Sequence, residues 1–560
     1  MSGFSVENPL RNLIPLIEDL NRDLTTTDSN VSSLNSDVST LNLEQTNTYN
    51  RTTNCYVPLL WNELIEVIHS NRNPCSELDS TKTDLPPTIT SRYFYIFQMW
   101  YYQMYLTLVL KENTNIFPSW FTYSLTYPTS LSVNMDIIHH GLYYLLLKIN
   151  NAIVVAPDQA RNIESNAKEI LDFKNSVSSS ISSAAESWIS SQTDSYWNQA
   201  IQDYSATATN PTWTSTYVAP VSPVDGEWRG ATIPQKVNGD YYYNSWNIPW
   251  GTGSYAKTQG YATPNWGGVI GYEWQRIGST GTNISGFPTS IQNTLNTYSP
   301  QLSGSNLASK MNDVLSLNGT LTPREKFIAE FWEDGYGTAK PCGKWNFLTR
   351  VFIRSLGYTE KQCIELLFLV NAALVNAFIC AWDVKRIYAA ERPVTYLRRS
   401  TVGTTFTGWR GNNSKTGTVD TSDPNQGFLP YQDPTFITPP FPGFISGHST
   451  CSAAAATMLA TYIGSNQIPQ IMTPGTIPFN QNSSIDVLNE IKSNFPPYLN
   501  YDTSKYTRVL LAFKTFDDMI ESAGWSRLYG GIHILPDHQA AVEIGKYLAK
   551  YTWNAYRNKL

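Results

Sequence analysis

Three short stretches hold side chains that could do chemistry together. KRIYAAERP at 385–393 supplies Lys385 and Arg392, closed by Pro393. FPGFISGHSTCS at 441–452 sets Ser446, Gly447 and His448 side by side, and SRLYGGIHILPD at 526–537 adds Arg527, His533 and Asp537. The set amounts to three cations, two histidines, a hydroxyl and a glycine amide. Cations and amides bind equatorial oxygens of a tetrahedral oxyanion, and an imidazole can act on its central atom or move its protons. Any one of these residues alone reads as a surface charge or a satisfied core histidine. Their coincidence carries the reading.

Elements must then position them. Lys385 and Arg392 fall seven residues apart, two turns of one helix if it continues, hence one face; Pro393 would end it. Ser446 and Gly447 stand just before AAAATMLATYI, which reads as a buried helix. The anion would thus sit at a helix N-terminus, where backbone amides and dipole both favour negative charge, and glycine allows close approach.

The spacing Lys, six residues, Arg-Pro; Ser-Gly-His; Ser-Arg, five residues, His, three residues, Asp resembles the signature shared by the vanadium-dependent haloperoxidases and the type 2 phosphatidic acid phosphatases. One departure is visible: Ile445 stands where the family usually has a proline before Ser-Gly-His. The resemblance covers roughly 220–553, and the phrases GEWRG and PNWGGVIGY resemble loops of the bacterial haloperoxidase-like branch. It implies an all-α helical bundle with long irregular loops, and vanadate (V5+) as cofactor, with phosphate as a competing occupant. Lys385, Arg392, Ser446, Gly447 and Arg527 would hold the oxygens. His533 would be the axial group, bonding vanadium in a haloperoxidase or attacking phosphorus in a phosphatase, with Asp537 fixing its tautomer. His448 would be the acid–base residue, and Asp334 in AEFWEDG would orient Arg527.

Surroundings must choose between the two reactions. Trp382 and Phe441 occupy positions that are aromatic in chloride-competent fungal haloperoxidases, whereas algal bromoperoxidases carry histidine where Phe441 stands. Aromatic walls would exclude water and shape a halide niche. The leading expectation is therefore a haloperoxidase taking hydrogen peroxide and a halide to hypohalous acid. The alternatives are a soluble acid phosphatase with a phospho-histidine intermediate, and a structural protein with a vestigial site.

The rest of the chain divides by composition. Residues 13–41 carry a heptad of Leu13, Ile17, Leu20, Leu24, Thr27, Val31, Leu34, Val38 and Leu41, predicting a coiled coil and a homo-oligomer, with a dimer favoured. The boundaries expected are 1–54 for that helix and its linker, 55–205 for a helical part, 206–320 for a Gly/Pro/Trp/Tyr-rich loop region over the core, and 321–560 for the helical catalytic core. The loop region could equally be an aromatic carbohydrate-binding surface. Thr359 with Gln362 predicts a capping box, residues 401–440 a polar loop, and TRVLLAFKTFDDMIESAG a helix.

A net charge of −6 on 560 residues argues against general nucleic-acid binding. The best membrane candidate, Tyr93–Leu110, carries too many Tyr, Trp and Gln residues for a span and reads as a buried aromatic helix. His69, His139 and His140 have no ligand partners at metal spacing and read as surface or core residues. The six cysteines show no metal or framework spacing; Cys380 and Cys451 read as buried thiols, and a Cys55–Cys75 bridge is open. No secretory signal is visible, which leaves cytoplasmic residence or non-classical export.

Overall fold

The computed structural model describes residues 55–70, 85–152, 160–201, 226–228, 232–234, 236–237, 240–241, 256–258, 261–275, 283–335, 338–410, 416–422, 426–432, 437–468 and 513–560. The heptad at 13–41, and with it the expected dimer, lies outside them, as does Cys75. Fourteen helices run through the described residues. They are α1 (Tyr56–Ser70), α2 (Pro87–Met104), α3 (Met135–Ala152), α4 (Ala160–Val177), α5 (Ser183–Ala200), α6 (Thr289–Tyr298), α7 (Gly304–Thr320), α8 (Pro323–Phe331), α9 (Lys340–Leu356), α10 (Glu360–Tyr388), α11 (Pro393–Ser400), α12 (Gly447–Ile463), α13 (Phe516–Tyr529) and α14 (Leu535–Arg557). Among the described residues, strands form three small antiparallel pairs: 232–234 with 256–258, 236–237 with 240–241, and 405–408 with 417–420. The fold is all-α, as expected.

Helix α10 is the axis. It opens on the predicted capping box, in which Thr359 and Gln362 exchange side-chain bonds with each other's backbone. Nearly every side chain from Ile364 to Lys385 is buried. It is long and apolar enough to cross a membrane, yet 94% of its apolar window is buried inside the protein, as in a core helix. Tyr93–Leu110, the stretch weighed from sequence, forms α2 and a following π-turn, and is almost wholly buried as well.

Helices α12 and α14 pack on one another beside α10. The alanine run Ala453–Ala456 provides a small-residue surface, and Gly545 of α14 is pressed into it. A Cβ on Gly545 would lie 2.4 Å from the Thr450 carbonyl oxygen and 2.7 Å from the Ala453 Cβ. That approach packs the first turns of α12 on the middle of α14, and the Ser446 N–H bond to the Asp537 carbonyl (2.9 Å) joins their N-terminal ends.

Several expectations need correction. Lys385 and Arg392 do not share a helix. Ala389 turns left-handed (φ 43°) and caps α10, while Arg392 is extended (φ −90°, ψ 150°) and caps α11, which begins at Pro393. A proline disfavours the α conformation in the residue before it. Helices α6 and α7 occupy 289–320, which had been given to the loop region. Ile291 and Leu295, then Leu307, Met311 and Val314, are their buried faces, a period diluted by Asn, Ser and Gly. The 401–440 loop contains the 405–408/417–420 hairpin, and α13 starts only after Thr515, whose capping box with Asp518 sets the boundary. Cys55 is bonded to Cys363, not to Cys75; Cys380 and Cys451 are buried cysteines outside any disulfide, as expected.

The N-terminal helices share one apolar core with the C-terminal ones. A buried polar ladder also crosses α1, α9 and α10: Asn62 donates to Asn346 (2.7 Å), Asn346 to Asn371 (2.9 Å), and Arg350 to Asn62 (2.7 Å). His69 and His139 are core residues, His69 bonded to the Ile65 carbonyl (2.7 Å) and His139 accepting from the Trp61 indole (3.1 Å).

Candidate active site

Arg392 leaves the end of α10 in a strap held from both sides. Trp228 N–H donates to the Ala389 carbonyl (2.6 Å), Glu391 N–H to that of Gly226 (2.8 Å), and Gly443 N–H to that of Ala390 (2.9 Å). The GEW of 226–228 and the loop before Ser446 therefore clamp the same three residues. Glu391 reinforces the clamp through Arg399 (2.8 and 3.2 Å) and the Gly226 amide (3.1 Å). Sequence reasoning passed over Glu391; nothing in its spacing marks it.

Lys385 is fully buried and donates to the carbonyls of Pro442 (2.6 Å) and Gly443 (2.9 Å), leaving one ammonium proton. Arg392 donates from Nε to the Phe441 carbonyl (2.8 Å), and from Nη1 to the Ile532 carbonyl (2.7 Å) and His533 Nε2 (2.9 Å). A guanidinium has only donors, so Nε2 of His533 must accept and Nδ1 must carry the proton. That proton is donated to Asp537 Oδ2 at 2.7 Å. Asp537 therefore fixes the His533 tautomer, as expected, and aims the Nε2 lone pair at the cations.

Ser446 caps α12. Its Oγ accepts from Ser449 N–H (3.3 Å), so its own proton remains to be donated, and its backbone N–H binds the Asp537 carbonyl (2.9 Å). Gly447 faces Trp382: a Cβ there would come within 3.3 Å of the indole. Arg527 reaches from α13 and donates Nη1 to the Trp332 carbonyl (2.8 Å). The three stretches meet: besides burial, the charges of Arg392, Lys385 and Arg527 all disfavour a proton on His533.

The donor set itself shows what would fit there. Nη2 of Arg392 and Nε and Nη2 of Arg527 are buried without a hydrogen-bond partner among the described residues. Buried guanidinium donors left unspent are costly unless an anion uses them. The pocket suits an oxyanion such as vanadate or phosphate. Among the described residues no group of three His, Cys, Asp or Glu side chains could hold a bare metal cation.

Residues 365–560 match the family described as the VCPO second helical-bundle domain. That stretch carries the helical-bundle domain of that family. Its fold is similar to that of a bacterial vanadium-dependent iodoperoxidase, with TM-score 0.54, 16% identity, and 89% of this chain and 95% of that one covered. A bacterial vanadium-dependent chloroperoxidase is similar in its holo form (TM-score 0.55, 15% identity, 86% and 96% covered) and its apo form (0.55, 13%, 88% and 97%). No curated protein shows significant similarity to the sequence. The haloperoxidase fold thus extends over nearly the whole length, including helices the signature motifs do not reach.

Electrostatics follow from burial. Burial, and then the neighbouring Arg392 charge, hold the Lys385 ammonium well below its usual range. Burial pulls the Arg392 guanidinium down to about 9 and Arg527 to about 10. Burial raises the Asp537 carboxyl against the pull of Lys385 and Arg392. His448 is pulled down to about 4 by burial and by Arg527, so at neutral pH it is an uncharged imidazole. It is also the one motif residue with an appreciably exposed side chain, at 15%.

Asp334 does not orient Arg527 through a hydrogen bond. Its Oδ2 stands 3.6 Å from His448 Nε2, and the guanidinium uses the carbonyls of Trp332 and Glu333 instead. The left-handed backbone at Asp334 (φ 49°) turns the carboxylate towards α12. Its buried carboxyl is nonetheless held low, because His448, Lys344 and Arg527 together outweigh desolvation. Trp382 and Phe441 do form one wall, with ring centroids 4.5 Å apart, and the Phe441 ring lies 5.2 Å from both Lys385 Nζ and the Arg392 guanidinium carbon. The Trp382 indole N–H is spent on the Ala262 carbonyl (3.0 Å). That contact ties the wall to the 261–275 loop, where Gly267 and Gly271 lie so close to α10 that a Cβ would meet Asp383 (2.4 Å) or Asn376 (2.1 Å).

Proposed function

We propose that the protein is a vanadium-dependent haloperoxidase that uses hydrogen peroxide to oxidise a halide to hypohalous acid. The observation that carries the reading is the buried set of unspent guanidinium donors around a histidine whose Nδ1–H is fixed on a carboxylate and whose Nε2, which accepts from Arg392 Nη1, would exchange that bond for vanadium. Lys385, Arg392, Arg527, the Ser446 hydroxyl and the Gly447 amide would hold vanadate oxygens, and His533 Nε2 would be the one protein ligand to vanadium. Bound vanadate supplies Lewis-acid activation of peroxide without a change of metal oxidation state.

The chain's own residues supply the remainder. His448, neutral and at the open side, takes up and returns a proton, and Asp334 beside it stabilises the imidazolium that forms. Lys385 can donate its remaining proton towards the anion. Trp382 and Phe441 exclude water from one side and offer a halide an apolar surface next to cations, a setting that suits an anion with weak hydration.

The test supplies orthovanadate, hydrogen peroxide and iodide or bromide and follows halogenation of a dione. A second assay follows hydrolysis of a phenyl phosphate without vanadium. The expected result is vanadate-dependent halogenation with no phosphatase turnover; phosphatase activity alone would replace this reading by the phospho-histidine one. His448→Ala should retain vanadate and lose turnover by roughly 100-fold or more, the usual contribution of a positioned acid–base group.

A further inference from the structure

One histidine, His538, belongs to no motif in the sequence, yet the structure puts it where α12, α13 and α14 meet. It follows Asp537 on α14 and is 3% exposed. Its Nδ1 is 3.0 Å from the Ser449 hydroxyl of α12, and its Nε2 is 3.2 Å from Glu521 Oε2 of α13. The ring lies flat against Gly524, where a Cβ would fall 2.0 Å from its Nδ1. Carboxylate, imidazole and hydroxyl thus stand in the order of a nucleophilic triad. Ser449 is wholly buried, so no substrate can reach it and the arrangement must serve another purpose.

The bond directions show which. A carboxylate can only accept, so Nε2 carries a proton towards Glu521, which turns Nδ1 to the Ser449 hydroxyl. Ser449 Oγ is engaged by His538, and the Ser449 backbone N–H donates to Ser446 Oγ at 3.3 Å. The bond sets the rotamer of Ser446 and leaves the Ser446 proton for the anion. Without His538, the Ser449 hydroxyl would be a buried polar group in need of another partner, and the carbonyls nearest along the chain are those of Ser446 and, just before the helix, Ile445.

We infer that His538 is a positioning residue for the oxyanion site, holding Ser446 and the first turn of α12 in register with Arg527 through Ser449 and Glu521. This rests on the reading of the site as a vanadate site. The test is a calorimetric titration of the full-length protein with orthovanadate, with the melting temperature measured on the same samples. Two isosteres separate the two contacts of the ring: in His538→Asn the amide oxygen can replace Nδ1 at Ser449, and in His538→Gln the amide can replace Nε2 at Glu521.

The expected result is a Kd raised roughly tenfold in His538→Ala and His538→Gln, the usual cost of losing an outer partner of an anion or metal site. His538→Asn should bind like the wild type. Ser449→Ala should show the same loss, and combining it with His538→Ala should add nothing further. Unchanged affinity in His538→Ala, or losses that track melting temperature alike in Ala, Gln and Asn, would overturn the inference. A wild-type protein that does not bind orthovanadate would overturn the vanadate reading first, and this inference with it.

Discussion

Arg92 and Arg527 are both fully buried, and the contrast between them separates structure from function. Arg92, in the N-terminal half, spends Nη1 on the Ile270 carbonyl (2.5 Å) and Nη2 on that of Ala200 (3.0 Å). Its guanidinium carbon lies 5.6 Å from the Tyr95 and Trp120 rings. It works as a rivet between α2, the end of α5 and the 261–275 loop. Arg527 makes one short bond, to Trp332, and keeps Nε and Nη2 unspent beside Arg392, which keeps Nη2. In a cation buried for the fold both terminal nitrogens are bonded within the fold. A cation buried for a ligand is left short.

The contrast can be broken in three ways. The largest effect is expected from Arg392→Met with Arg527→Met. Removing two charged forks should weaken orthovanadate binding by about 1000-fold or more, since bonds to charged groups contribute roughly 1.5–3 kcal/mol each. The free protein should change by only about 1 kcal/mol in urea unfolding, because uncompensated buried charge leaves with the lost contacts. Arg92→Met should behave in the opposite sense. It strands one buried and one part-buried carbonyl, costing about 2–3 kcal/mol of stability, while the vanadate affinity of the folded protein stays at the wild-type level. If Arg92→Met were neutral to stability and Arg527→Met destabilising, the two roles would be exchanged.

The smallest of the three concerns pH. His448 and His139 are each held down to about 4, in both cases chiefly by burial. Between pH 6.5 and 4 the unfolded chain takes up protons at these positions that the folded chain does not. Stability is therefore present above 6.5 and is lost as pH falls through this window, by roughly 2 kcal/mol for each histidine. Urea unfolding at pH 7 and pH 5 checks it: His448→Asn should flatten the slope, and saturating vanadate should flatten it too, by letting His448 charge beside an anion. A slope unchanged in His448→Asn would show that the imidazole is not held neutral.

The site was legible in the sequence because its spacings are local. Lys385 to Arg392 and Arg527 to His533 to Asp537 each sit within a few turns of chain, and Ser446–His448 are adjacent. What spacing could not give was conformation: the break of α10 at Ala389 made Arg392 a cap and not a helix-face partner of Lys385. Long-range partners were also out of reach. Cys55 pairs with Cys363 across a separation of 308 residues, and Asp334 turned to His448 because its own backbone is left-handed. His538 carried no signal at all, since its partners Ser449 and Glu521 come from two other helices. Helices α6 and α7 were hidden by composition, their apolar period being intact beneath Asn and Ser.

The central claim is that three distant segments close on one tetrahedral oxyanion with His533 at its apex. Isothermal titration of the full-length protein with orthovanadate, alone and with orthophosphate present, tests it most directly. The account predicts one site per chain, competition by phosphate, and loss of measurable vanadate binding in His533→Ala. Vanadate bound as tightly by His533→Ala, or binding indifferent to phosphate, would contradict it.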